Sequence, residues 1–308
     1  MRPTVCGDVV GNRKMLNALK PKPPIASVPD AAPLRPPRWA SELAAQRGLA
    51  TLVTTRVDGF RHGDPQRLSQ QVIDAYEQVR QALCESPHQH IVRMWNHIPG
   101  IHDPLNPGQD RYMLFNAGRF AAMRMWFGAA EEIRRCVPAA SGVGHDGDDL
   151  VIHALAMATP GVAVENPDQV PAYHYSPRYG PVPPCFARAT RVMSPMSTLF
   201  ISGTAAITGE ESRFGADLEK QFELTLRNLS IVIAKARDDD HQIESPPRPS
   251  PLETLQHIRI YVPPGVDQQA VDRLARSAFV ESTSIEWVSA ELCRSDLLVE
   301  IEGVARLS

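Results

Sequence analysis

The chain has 308 residues, 43% of them hydrophobic, so it can bury a full core and is long enough for two domains. Its formal net charge is only −3, with acids and bases interspersed, and no basic stripe is present to grip a phosphate backbone, which excludes nucleic acid as a partner. No apolar run reaches membrane-spanning length and the N-terminus lacks a signal-peptide pattern, so a soluble cytoplasmic protein without a membrane partner is expected.

Residues 1–40 include PKPPIASVPDAAPLRPPR, whose prolines remove backbone donors and predict an extended arm. In GDPQRLSQQVIDAYEQVRQAL, Leu68, Val72, Ile73, Tyr76, Val79 and Leu83 recur at helical spacing behind an acidic, proline-bearing start, which predicts a helix. IVRMWNHIPGI reads as a strand ending at Pro99-Gly100, DRYMLFNAGRFAAMRMWFG as a short strand running into a helix, and DDLVIHALAMA as a further strand. A long loop rich in proline and tyrosine, ENPDQVPAYHYSPRYGPVPPCFARA, divides the chain, and loops of that length are often functional. Beyond it come the strand TLFISGTAAI, the helix DLEKQFELTLRNLSIVIAKA, a polar spacer RDDDHQIESPPRPSPLE read as a solvated insertion, and the strand TLQHIRIYV. The helix DQQAVDRLARSAFV and the strands SIEWVSA and DLLVEIEGV close the chain. Mixed strands and helices in two halves predict an α+β fold, divided into the arm, an N-terminal domain over 41–165 and a C-terminal domain over 166–308.

Several motifs have ordinary readings. GVGHDG at 142–147 matches G-x-G-x-x-G, but it follows a helix and precedes a strand, the reverse of a dinucleotide site. His88, His90, His97 and His102 cluster in sequence without a Cys or an H-E-x-x-H pattern to complete a metal site, so they read as surface or hydrogen-bonded histidines, and no metal or other cofactor is expected. Ser202 lies outside any G-x-S-x-G elbow. Cys6, Cys84, Cys136, Cys185 and Cys293 are odd in number and never form C-x-x-C, as expected of free thiols in a reducing compartment.

The closing segment CRSDLLVEIEGVA, residues 293–305, is less ordinary. Side chains alternate along a strand, so Val299 and Ile301 point to one face while Leu298, Glu300 and Glu302 share the other. Judged alone, the acid pair reads as two solvated carboxylates.

The order SGTAAI, EKQFELTLRNLSIVIAKA, HIRIYV and CRSDLLVEIEGVA resembles the YjgF-like reactive-intermediate deaminase fold over roughly residues 198–305. When RMWNHIPGI, RYMLFNAGR, ENPDQVPAYHYSPRYGPVPPCFARAT, LFISGTAAITG and CRSDLLVEIEG are taken together over about 200 residues, the chain resembles the chorismatase family. That resemblance implies two halves like YjgF and chorismate mutase, each a mixed sheet packed on helices, and cleavage of the small-molecule substrate chorismate with release of pyruvate. It matches Glu300 to the catalytic glutamate of the closing strand. Glu302, about 7 Å further along, is expected to anchor structure or reach solvent. Val182 in YGPVPP stands where a basic residue is expected in many relatives, and EESRF after ITG is a second departure.

The substrate implied has two carboxylates and an enol ether. Planar guanidinium forks and phenol hydroxyls suit carboxylates, which makes Arg119, Tyr173, Arg178, Tyr179 and Arg188 candidate binding residues. A carboxylic acid in an apolar pocket keeps a proton near neutral pH and can protonate the enol carbon, the role expected of Glu300. Gly203 and Ala205-Ala206 keep a strand end small enough for a ring to approach, and Cys293 is expected beside that ring. By the resemblance, cysteine at the position of Cys293 goes with 3-hydroxybenzoate synthases, whereas alanine at the position of Ala206 goes with hydrolases. Cys293 carries more weight, so the expected product is 3-hydroxybenzoate, with 4-hydroxybenzoate compatible. The alternatives are a chorismate hydrolase giving a dihydroxycyclohexadiene carboxylate and a non-catalytic YjgF-like protein that binds a small acid. The oligomeric state is left open.

Overall fold

The computed structural model describes residues 34–46, 48–128, 130–238 and 250–307. Most of the predicted N-terminal arm and of the 237–253 spacer lies outside these residues. The arm's described end is helical: Arg38–Ala45 forms α1, with Trp39, Ala40 and Leu43 buried.

The first sheet has the order β1-β4-β2-β3, from β1 (Thr51–Val57), β2 (His90–Pro99), β3 (Ala139–His145) and β4 (Leu150–Met157). Helix α2 (Pro65–Cys84) starts at Asp64, whose carboxylate caps the Gln66 N–H, and buries the predicted stripe through Leu68, Val72, Tyr76, Val79 and Leu83. Against it lies α3 (Arg111–Phe127), followed by the short α4 (Ala130–Cys136). The helices approach closely at Gly118, where a Cβ would meet the Ser69 carbonyl oxygen at 2.4 Å. The strand predicted at the start of α3 is therefore a correction. Asp110 accepts from the Met113 N–H and starts the helix at Arg111, leaving only the pair Gln109–Asp110 extended.

The second sheet runs β9-β8-β10-β7-β6-β5, from β5 (Val162–Val164), β6 (Ala189–Val192), β7 (Thr198–Thr204), β8 (Leu255–Val262), β9 (Ser284–Ser289) and β10 (Glu300–Arg306). Its helices are α5 (Leu218–Asp238), between β7 and β8, and α6 (Gln268–Ala278), between β8 and β9. Both sheets mix parallel with antiparallel pairs, so the architecture is α+β in two sheet-and-helix halves. The start of the spacer is helical to Asp238 and its end, Pro251–Thr254, is a 3-10 turn, so the solvated stretch is shorter than predicted.

The two sheets meet along β3. Its Ala139 N–H donates to Thr190 Oγ1 at 2.7 Å, Ala140 N–H to Ser202 Oγ at 2.8 Å, and Gly144 N–H to the Glu291 carbonyl at 2.7 Å. One glycine of GVGHDG serves this contact: a Cβ on Gly144 would lie 2.5 Å from Ile101 Cγ2 and 2.9 Å from Glu291 Cβ. Among the described residues no helix is long and apolar enough to cross a membrane.

Candidate active site

The alternation read in the closing strand holds. Val299 and Ile301 enter the core of the second half, while Glu300 and Glu302 are buried toward the junction with the first. Neither acid is solvated. Opposite them, β7 carries a bulge: the pairs Ile301–Thr204 and Gly303–Ile201 set Ser202 and Gly203 against the single residue Glu302. Glycine is required there, because a Cβ on Gly203 would fall 1.9 Å from Glu300 Oε1.

The two acids have different surroundings. Glu302 accepts from Arg93 Nη2 at 2.6 Å, from Trp95 Nε1 at 2.7 Å and from the Ser141 hydroxyl, all on the first sheet. It anchors structure. Glu300 has no hydrogen bond to any described residue and faces a cavity of about 360 Å³. Burial, then the charge of Glu302, pushes its carboxyl up to about 8, and Arg93 and Arg188 oppose the rise only in part.

The cavity is walled by both halves. Seven of the residues expected to form the site line it: Glu300, Cys293, Arg178, Tyr179, Arg188, Gly203 and Ala205. Arg188 is held by its Nη2, which donates to Tyr175 Oη at 2.7 Å and to the Val170 carbonyl at 3.0 Å. Arg178 is at the exposed rim, 3.3 Å from Glu211. Cys293 is half-buried, and burial together with the Glu300 charge pushes its thiol up to about 12, so it is a polarizable neutral wall rather than a thiolate.

Three expected residues lie elsewhere. Arg119 sits behind the wall, its guanidinium over the Phe115 and Phe186 rings at 5.3 and 5.7 Å and its Nη2 donating to Asn116 Oδ1. It is on the inward face of α3, whereas Tyr112 and Met113, at that helix's N-terminus, line the cavity. Tyr173 packs against the core of the first half beside His174. Ala206 is fully buried, and of the alanine pair Ala205 alone lines the cavity.

Sequence reasoning missed Arg294, Tyr175, Tyr112 and His102 on the lining. Arg294 stands 3.9 Å from the Tyr179 ring centroid and 5.4 Å from that of Tyr175, and its Nη1 donates to the Glu210 carbonyl at 2.7 Å. Its adjacency to Cys293 was the available signal. With Arg178 and Arg188 it places three guanidinium groups on the lining, while Val182 is not part of it. The histidine cluster is dispersed: His88 Nδ1 bonds Thr51 Oγ1, His97 is buried edge-on to His153, and His102 reaches the cavity. Among the described residues no three metal-ligating side chains gather.

Residues 42–156 match the family model described as chorismatase FkbO/Hyg5-like, N-terminal. A 3-hydroxybenzoate synthase of Streptomyces hygroscopicus is 34% identical over 284 residues, covering 86% of this chain and 80% of its own. The chain belongs to the chorismatase family. A chorismatase from the same organism is 29% identical over 274 residues, with 86% and 78% of the two chains covered. A chorismatase crystal structure superposes with a TM-score of 0.72 at 28% identity, covering 84% of this chain and 75% of that one. Both sheets and the junction between them thus belong to an architecture already seen in a chorismatase.

Proposed function

We propose that this chorismatase cleaves the enolpyruvyl ether of chorismate, releasing pyruvate and a hydroxybenzoate, chiefly the 3-isomer, with Glu300 as the general acid. The observation that carries the reading is a buried carboxyl, free of hydrogen-bond donors, facing a cavity that three guanidinium groups line. An acid whose proton is retained to about pH 8 can protonate the terminal methylene carbon of the enol ether. The positive charge then develops beside the ether oxygen, and the Glu300 carboxylate left behind is the nearest compensating anion.

Arg188 and Arg294 take the carboxylates of the substrate, because each is already fixed by its own hydrogen bonds and so loses little freedom on binding. Gly203 gives the ring room beside Glu300, and the neutral Cys293 thiol occupies the space a water would need. The ring–ether C–O bond then breaks, the ether oxygen leaving as the carbonyl of pyruvate while the oxygen of the neighbouring ring hydroxyl shifts onto the vacated carbon. Loss of a ring proton, which restores the acid, makes the ring aromatic with no water gained or lost. The second sheet already begins at β5 (Val162–Val164), before the expected division between 165 and 166, and the first half supplies Tyr112 and Met113 to the lining. Incubation with chorismate tests the reading, with pyruvate followed by lactate dehydrogenase and NADH and the aromatic product separated by chromatography. Pyruvate and 3-hydroxybenzoate in equal amounts are expected; absence of pyruvate refutes the reading.

A further inference from the structure

Glu165 is a second acid whose carboxyl is buried, near the Arg188 backbone N–H and the Tyr173 hydroxyl but without a hydrogen bond of good geometry to either. It directly follows β5, whose pairing places Val164 opposite Ala189, so the next step of the ladder sets Glu165 against Arg188. Directly opposed residues of an antiparallel pair project on the same face. Both Glu165 carboxyl oxygens are shut off from solvent without a well-formed hydrogen bond, and Arg188 Nε is likewise buried without an acceptor. Arg188 also lines the cavity and Glu165 is among the charges that act on it, so one cation serves both a buried acid and the substrate space.

We propose that Glu165 is a positioning residue for Arg188, and that a substrate carboxylate bound at Arg188 drives a proton from solvent onto Glu165. This rests on the chorismatase reading of the cavity. In the empty site the Arg188 charge is what holds Glu165 ionised against burial. A bound carboxylate neutralises that cation and leaves the buried acid to protonate. Burial already pushes Glu165 up to about 7, with Arg188 and then Tyr173 opposing it. The other charged groups nearby are committed: Arg134 of α4 bonds His174, and Arg227 of α5 pairs with Asp168. Tyr173, expected from sequence to bind substrate, faces Glu165 instead.

The test uses the Glu300→Gln protein, which removes the proton of Glu300 from the count and holds chorismate without turnover. Calorimetric titration with chorismate should give about tenfold weaker binding at pH 8 than at pH 6, the limit set by one group titrating near 7. In buffers of different ionisation enthalpy at pH 7.5, uptake should reach about three-quarters of a proton, the fraction of Glu165 ionised there. Adding Glu165→Gln should abolish both effects while binding at pH 6 persists, with the equally non-titrating Glu165→Met as the second variant should the glutamine protein not fold. Retained pH dependence and proton uptake in the double variant overturn the inference, as does zero uptake in Glu300→Gln alone. Failure of the wild type to release pyruvate is a separate result, which removes the functional reading and this inference with it.

Discussion

Replacing Glu300 by Gln should inactivate the enzyme and, at alkaline pH, stabilise it. The folded-state carboxyl is raised from 4.5 to about 8, so the stability of the folded state is fully present below pH 4.5 and is lost as pH climbs toward 8, where the unfolded chain ionises and the folded one does not. At about 1.4 kcal/mol for each tenfold, the loss is on the order of 5 kcal/mol by pH 8.5. An amide escapes this, but a buried amide without a partner costs about 1–3 kcal/mol at every pH. The net expectation is slight destabilisation at pH 5 and a gain of about 2–4 kcal/mol at pH 8.5, worth roughly 3–6 °C in Tm. Turnover should fall by about 10² to 10⁴, since general acid catalysis is typically worth that much. Scanning calorimetry of both proteins at the two pH values, paired with the pyruvate assay, checks both halves. A Tm difference that is the same at pH 5 and pH 8.5 means Glu300 is ionised in the folded enzyme at neutral pH and holds no proton to donate.

Gly203→Ala should fold yet lose about 10² or more in kcat, because its Cβ would fall 1.9 Å from Glu300 Oε1 and displace the acid by about an ångström; unchanged kcat would show that the carboxyl position is not critical. Glu302→Gln leaves Arg93 buried without its counter-charge and should cost about 3–5 kcal/mol in denaturant unfolding. Because Glu302 helps to raise Glu300, the same variant should also move the alkaline limb of kcat to lower pH, which a pH profile reads directly. Cys293→Ala opens room for a water and should shift product from hydroxybenzoate toward the non-aromatic diol while pyruvate release continues; an unchanged hydroxybenzoate fraction by chromatography reduces Cys293 to packing.

Periodic signals were legible and directional ones were not. Helix α2 and the strands β2, β4, β8 and β10 announce themselves through apolar spacing, because one face of each meets a core. Strand β3 does not: Ala-Ala-Ser-Gly-Val-Gly-His has small residues where a strand usually shows branched ones, since it must fit between two sheets. Among the residues on the cavity wall, Glu300 and Cys293 were reached through the resemblance to the chorismatase family, since alternation alone left the acid pair solvated, and Gly203 through its small size at a strand end. Arg119 and Tyr173 carry suitable chemistry but face inward, and residue type alone says nothing about which side of a wall a guanidinium occupies. Arg294 was passed over because its loop has no period to point the side chain anywhere.

Two glutamates two residues apart on one strand face have opposite surroundings, and the difference is in what the first sheet offers each. At Glu302 it presents a guanidinium, an indole N–H and a hydroxyl, which satisfy a buried carboxylate and tie the halves together. The Ser141 hydroxyl that donates to Glu302 also accepts the Gly203 N–H at 2.9 Å. The anchor for one acid therefore fixes the bulge that clears space for the other. Glu300 receives no donor, and Glu302, charge-paired yet close, adds its repulsion to the burial that keeps Glu300 protonated. Supplying Glu300 with a donor such as Arg93 would hold it as an anion and take away its proton, so the acid depends on the first half withholding there what it gives one step along the strand.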